Sequence, residues 1–161
     1  MVYRVKKGNH WFFPIFPMLT LRRVFRKTVY FHASAKYILG DGDQGDINKL
    51  FGVGYLPHLH RYSARFGWVY NPETEKIELH AYCYDRGERL TQLVASVGIG
   101  EYVKCEIKVG FKNYIFTVRQ QNKSTYKIIR VSDFNKLIGY TLHTYFGGNK
   151  AAPHEIKIEM K

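Results

Sequence analysis

Residues 76–84 alternate without a break. Ile77, Leu79, Ala81 and Cys83 occupy the odd positions, and Glu78, His80, Tyr82 and Tyr84 the even ones. A period of two belongs to an extended strand with one buried and one wet face, and it leaves no continuous stripe for a helix to bury. The preceding stretch, 63–70, alternates in the same way, with Ala64, Phe66, Trp68 and Tyr70 set against Ser63, Arg65, Gly67 and Val69. Between the two lies Asn71-Pro72-Glu73-Thr74-Glu75, which is turn chemistry: asparagine and proline bend the chain and the charges stay hydrated. The pair is expected to fold as an antiparallel hairpin. Its Phe, Trp, Ile, Leu and Cys side chains face a core, while Arg65, His80, Tyr82 and Tyr84 share the opposite face.

The same period recurs along the chain. Strands are expected at 18–24, 28–32, 91–99, 103–109, 114–118, 126–131, 140–146 and 156–160, making about ten with the hairpin. In 91–99 the apolar phase is odd: Thr91, Leu93, Ala95, Val97 and Ile99. Helical signals are confined to two single turns, one at 132–137 capped by Ser132 or Asp133, the other at 46–51. Neither is long enough to cover a sheet, so two sheets must cover each other. The expectation is an all-β, two-sheet antiparallel β-sandwich of the jelly-roll or concanavalin-like kind, one domain over residues 1–161. An aromatic content of 16% fits this, because such side chains favour pleated, half-buried surfaces.

Composition excludes several function classes. Cys83 and Cys105 are the only cysteines and both fall on apolar strand phases, so they are expected as buried thiols, with no disulfide framework and no thiolate zinc site. Residues 11–21 have the length of a signal-peptide apolar segment, but Pro14 and Pro17 interrupt them and Arg22-Arg23 follows where small residues would be cleaved. They also fall short of the roughly 20 apolar residues of a membrane span. A soluble, uncleaved chain is the expectation, with the compartment left open and the cytoplasm as one candidate. G-x-S-x-G, P-loop and HExxH motifs are absent, and no paired carboxylates of a glycosidase stand out.

Four constellations bear on function. The Arg65, His80, Tyr82, Tyr84 face has the residue types of sugar recognition: aromatic rings stack on apolar sugar faces, while Arg and His bind hydroxyls or carboxylates. Gly67 on that face leaves room for close approach, and His143 and Tyr145 are candidates to join it. An outward strand face of ordinary scaffold residues uses the same types. His58-Leu59-His60 has the spacing of a metal pair but lacks a third ligand nearby, so no metal and no cofactor are expected. Asp41-Gly42-Asp43-Gln44-Gly45-Asp46 opens like a calcium loop, yet position six is Asp46 and position twelve Gly52, which favours a solvated turn. Finally, 25 Lys+Arg against 13 Asp+Glu give a net charge of +12, with basic clusters at Lys6-Lys7 and at Arg22, Arg23, Arg26 and Lys27. That balance fits a polyanionic partner. Nucleic acid is one candidate, on charge and interleaved aromatics without a recognition motif.

The run Thr144-Tyr145-Phe146-Gly147-Gly148-Asn149-Lys150-Ala151-Ala152-Pro153-His154-Glu155-Ile156 is similar to the last strand pair of small bacterial jelly-roll proteins of unknown function. Asp46-Ile47-Asn48-Lys49-Leu50-Phe51-Gly52 and Ser63-Ala64-Arg65-Phe66-Gly67-Trp68 extend that likeness over most of the chain. The aromatic-Phe-Gly-Gly turn and the later Pro also resemble, more distantly, certain jelly-roll polysaccharide lyases. The resemblance implies the fold and carries over no catalytic residue. Residues and resemblance together point to a non-catalytic module that binds a glycan or other polyanion. A lyase working by β-elimination on an acidic glycan, a nucleic-acid binder and an assembly protein are the competitors.

Overall fold

The computed structural model describes residues 1–40 and 42–161. Among them run twelve strands: β1 (Val2–Val5), β2 (Leu19–Thr20), β3 (Val24–Phe31), β4 (Asn48–Tyr55), β5 (Tyr62–Asn71), β6 (Lys76–Asp85), β7 (Glu88–Val97), β8 (Tyr102–Val109), β9 (Asn113–Gln120), β10 (Lys123–Arg130), β11 (Gly139–Leu142) and β12 (Ile156–Met160). They form two six-stranded antiparallel sheets. The first has the order β1-β12-β3-β8-β9-β10 and the second β2-β11-β4-β5-β6-β7. The only helical turns among the described residues are two short 3-10 turns, Ala33–Ala35 and Asp43–Gly45. None of the helices is long and apolar enough to cross a membrane.

The hairpin forms as its alternation dictates. β5 pairs with β6 from Tyr62↔Asp85 through Asn71↔Lys76. In the turn, Asn71 Oδ1 accepts hydrogen bonds from the main-chain N–H groups of Glu73 and Thr74. Phe66, Trp68, Ile77, Leu79, Ala81 and Cys83 are wholly buried. Across the sandwich, Phe66 meets Phe116 edge to face at 5.1 Å and Trp68 meets Phe31 at 5.3 Å, so aromatic contacts tie the two sheets together. Cys83 and Cys105 are free and buried, and burial pushes both thiols up.

Several local expectations are corrected. The stretch 46–51 is no helical turn: from Asn48 onward it is β4, with Leu50 wholly buried, and the 3-10 turn lies just ahead of it. Residues 132–137 carry no helix either; Ser132 instead binds Asp85 through both its N–H and its hydroxyl, and Lys136 Nζ donates to the carbonyls of Phe111 and Ser132. The strand expected at 18–24 is split into β2 and the start of β3, and the one expected at 140–146 stops at Leu142 except for a bridge at Tyr145. In β7 the phase changes. A bulge opposite Leu79 and His80 places Leu93 beside His80 and Thr91 beside Tyr82, so both leave the core, and Val94 is buried in their place. The calcium-like motif lies partly outside the described residues, since Asp41 is not among them; Gly42 takes a left-handed φ of 80° and leads into the 3-10 turn.

Candidate functional site

Register assembles the site. Opposite the buried face of the hairpin, Arg65 pairs with Tyr82, Gly67 with His80 and Ser63 with Tyr84. On one flank β7 brings Arg89 beside Tyr84 and Thr91 beside Tyr82. On the other, Lys49 of β4 pairs with Gly67 and Gly52 with Arg65. Tyr145 bridges to Lys49, and the Lys49 ammonium lies 5.1 Å from the Tyr82 ring centre and 5.9 Å from that of Tyr145. His10 stacks on Tyr145 at 5.2 Å and the half-exposed Trp11 meets it edge-on at 5.0 Å. The six expected residues are therefore neighbours, Arg65, His80, Tyr82 and Tyr84 through the sheet, Tyr145 through Lys49, and His143 through Arg65.

Arg65 sits at the centre, 8% exposed. Gly52 makes room for it, since a methyl group there would come within 2.1 Å of the Ala64 carbonyl and 2.9 Å of Arg65 Cγ. One guanidinium nitrogen donates to the His143 carbonyl at 2.5 Å, while Nε is buried with no partner. Burial lowers its pKa to about 10. Lys49 is drawn down to about 8, first by burial and then by the charge of Arg65. His143 is lowered by burial and by the same Arg65 charge. His80 is lowered by burial, against the pull of Glu78, whose carboxylate lies 3.5 Å from Nε2. Tyr82 is pushed up to about 12 by burial and by Tyr84, whose hydroxyl is 3.5 Å away. Among the described residues no carboxylate lies within 4 Å of the charged groups of Lys49, Arg65 or Arg89. Three cations thus share a half-buried aromatic face without an ion-pair partner.

One expectation about this face changes. Gly67 does not leave space for a guest; Ile47 fills it, with Cγ2 only 2.2 Å from where a Cβ would stand. A cavity of about 600 Å³ is not lined by His80 or Tyr82 and touches the site only at Gly52 and His143. His58 and His60 have ring centres 6.3 Å apart, and His60 meets Tyr84 edge-on at 5.4 Å, which makes it a rim residue of the same face. Among the described residues no three His, Cys, Asp or Glu side chains gather as a metal site would require. Sequence reasoning missed Lys49 and Arg89. A signal for Lys49 exists in Gly52 and Gly54, two small residues at strand spacing that lie under the large side chains of Arg65 and Tyr140.

No protein-family model matches the sequence, and no curated protein matches it. Solved structures resemble the fold. The alginate lyase from Klebsiella pneumoniae superposes with a TM-score of 0.59 at 11% identity, over 90% of this chain and 58% of that one. A glycosyl hydrolase family protein from Mycobacterium fortuitum gives 0.52 at 10% identity, over 96% of this chain and 62% of the other. The chain spans about three fifths of the length of either. At such identity the likeness is one of fold: a jelly-roll sandwich.

Proposed function

We propose that the face formed by Arg65, His80, Tyr82, Tyr84, His143 and Tyr145, widened by Lys49 and Arg89, is a non-catalytic recognition surface for an acidic polysaccharide, within a single domain over residues 1–161. The observation that carries this is the buried Arg65 guanidinium, whose Nε has no partner and which, among the described residues, has no carboxylate within 4 Å. A buried cation is costly unless an anion compensates it, and a ligand carboxylate supplies that anion in the planar, two-oxygen form a guanidinium binds best. Lys49 and Arg89 extend the demand for negative charge along the strands. Tyr84 and Tyr145, both partly exposed, offer ring surface to pyranose rings, an apolar contact that a small inorganic anion does not use, while Tyr82 lies buried beneath Lys49. The fold shared with an alginate lyase and a glycosyl hydrolase family protein supports a sugar ligand without naming one. Calorimetric titration with oligouronates, matched neutral oligosaccharides and an oligonucleotide of equal charge tests the reading. Uronates are expected to bind, neutral sugars not, and Arg65→Ala to weaken binding at least about tenfold through loss of a charge-assisted pair. Tighter binding of the oligonucleotide, or equal binding of neutral sugars, would overturn it.

A lyase is the second reading, favoured by the neutral imidazole of His80 on the same face as Arg65 and the Tyr82 and Tyr84 hydroxyls. β-Elimination needs a cation on the uronate carboxylate and a base for the adjacent C–H proton, and these groups are of the right kinds. Ultraviolet absorbance of unsaturated uronate products separates the two readings. Its appearance at catalytic protein concentration would replace recognition with turnover.

A further inference from the structure

Beneath residues 14–20 the two sheets part around the cavity of about 600 Å³. From the first sheet it is lined by Val24 to Lys27 of β3, which lie beyond the β12 pairing at Val29 to Phe31 and the main-chain hydrogen bonds between Thr28 and Lys161. Phe25 reaches it from β3, Leu50 and Phe51 from β4, and Leu142 from β11, while Phe16, Met18 and Leu19 stand exposed around the opening. Three cations line it: Arg22, Arg26, which pairs with Glu106, and Lys27. Lys27 pairs in register with Cys105, between Phe25↔Ile107 and Val29↔Val103, so it points to the core side of its sheet, and it lines the cavity. Among the described residues its ammonium has neither a carboxylate within 4 Å nor a side-chain hydrogen bond. Arg22 stands exposed where the cavity opens.

We infer that this cavity binds a single-chain anionic amphiphile, a long-chain carboxylate, with its tail among Phe25, Leu50, Phe51 and Leu142 and its head on Lys27. The volume lies within the range of roughly 300–1,000 Å³ typical of small-molecule sites. The apolar part of the wall, Phe25, Leu50, Phe51 and Leu142, disfavours a polysaccharide, whose hydroxyls would lose water against it. A neutral hydrocarbon would fill the walls but leave the ammonium without a counter-charge. An anionic head with an apolar tail satisfies both parts of the site. The site is separate from the cationic sheet face, although His143 borders both.

Isothermal titration of the full chain with octanoate, decanoate and dodecanoate below their micellar concentrations, and with dodecanol as the neutral control, tests this. Dodecanoate is expected to bind one to one and more tightly than dodecanol, each added methylene tightening binding roughly fourfold. Lys27→Met is expected to weaken dodecanoate about tenfold, to the level of dodecanol. Leu142→Trp, which fills the cavity, is expected to abolish binding. Should Lys27→Met fail to fold, the chain-length series and the dodecanol comparison on the unaltered chain still decide. Absence of saturable binding, an affinity independent of chain length, or equal binding of dodecanol and dodecanoate would overturn the proposal.

Discussion

Arg65→Met separates a ligand-binding arginine from a structural one. Burial lowers the guanidinium from an ordinary 12.5 to about 10, and at about 1.4 kcal/mol per pH unit this corresponds to about 3 kcal/mol for holding the charge in place. The charge-assisted hydrogen bond to the His143 carbonyl offsets roughly 1.5–3 kcal/mol of that. Methionine keeps the apolar stem that packs over Gly52 and discards the charge. The free protein should therefore be unchanged or more stable by about 1 kcal/mol, a rise in Tm of about 2–4 °C for a chain of this size. Polyuronate affinity should fall sharply in the same variant. Urea denaturation at neutral pH, paired with calorimetric titration of an oligouronate, reads both quantities. A loss of 3 kcal/mol or more, as when one partner of a satisfied buried pair is removed, would show that Arg65 serves the fold. Undiminished affinity would refute the reasoning from the other side.

Other outcomes follow from the same geometry. Lys49 is held near 8, so it is charged below that pH and neutral above it. Polyuronate affinity should therefore decline as pH rises through about 8, and Lys49→Arg, which keeps its charge, should flatten the decline; pH-dependent titration of both proteins checks this. Gly52→Ala would press a methyl against the Ala64 carbonyl and Arg65, costing about 1–3 kcal/mol by overpacking and weakening the ligand as Arg65 shifts, measured by urea midpoint and titration together. Leu79→Ala removes a wholly buried side chain from the hairpin's core face. It should cost about 2–5 kcal/mol in denaturation with little effect on residual ligand affinity at temperatures where the variant is folded.

The hairpin was legible because its two phases differ so completely. Ile77, Leu79, Ala81 and Cys83 are all wholly buried, and every even partner lies on the opposite face. β4 was not legible as a strand at its start, because Leu50 and Phe51 are adjacent apolar residues at an irregularity between Lys49 and Gly52 that breaks its register. Lys49 was hidden with it. In β7 the periodicity pointed the wrong way for Thr91 and Leu93, since a bulge inverts the phase partway along a strand and leaves composition untouched. Arg89 lies beside Tyr84 by the register of the tight turn at 85–88. The clustering of Arg65, His80, Tyr82 and Tyr84 needed only parity and a hairpin. Bringing His143 and Tyr145 alongside required the long-range pairing of β11 with β4, which no local pattern encodes. The cavity beneath residues 14–20 is lined from both sheets and from that segment, a matter of tertiary packing alone.

Residue-resolved NMR of the chain during titration with an oligouronate bears most directly on the cationic face. The resonances of Lys49, Arg65, His80, Tyr82 and Arg89 are expected to shift together and to saturate, while Lys104 and Arg119, which line a hollow on the other sheet, stay still. Shifts centred on Lys104 and Arg119, or none at Arg65 at saturating ligand, would contradict it.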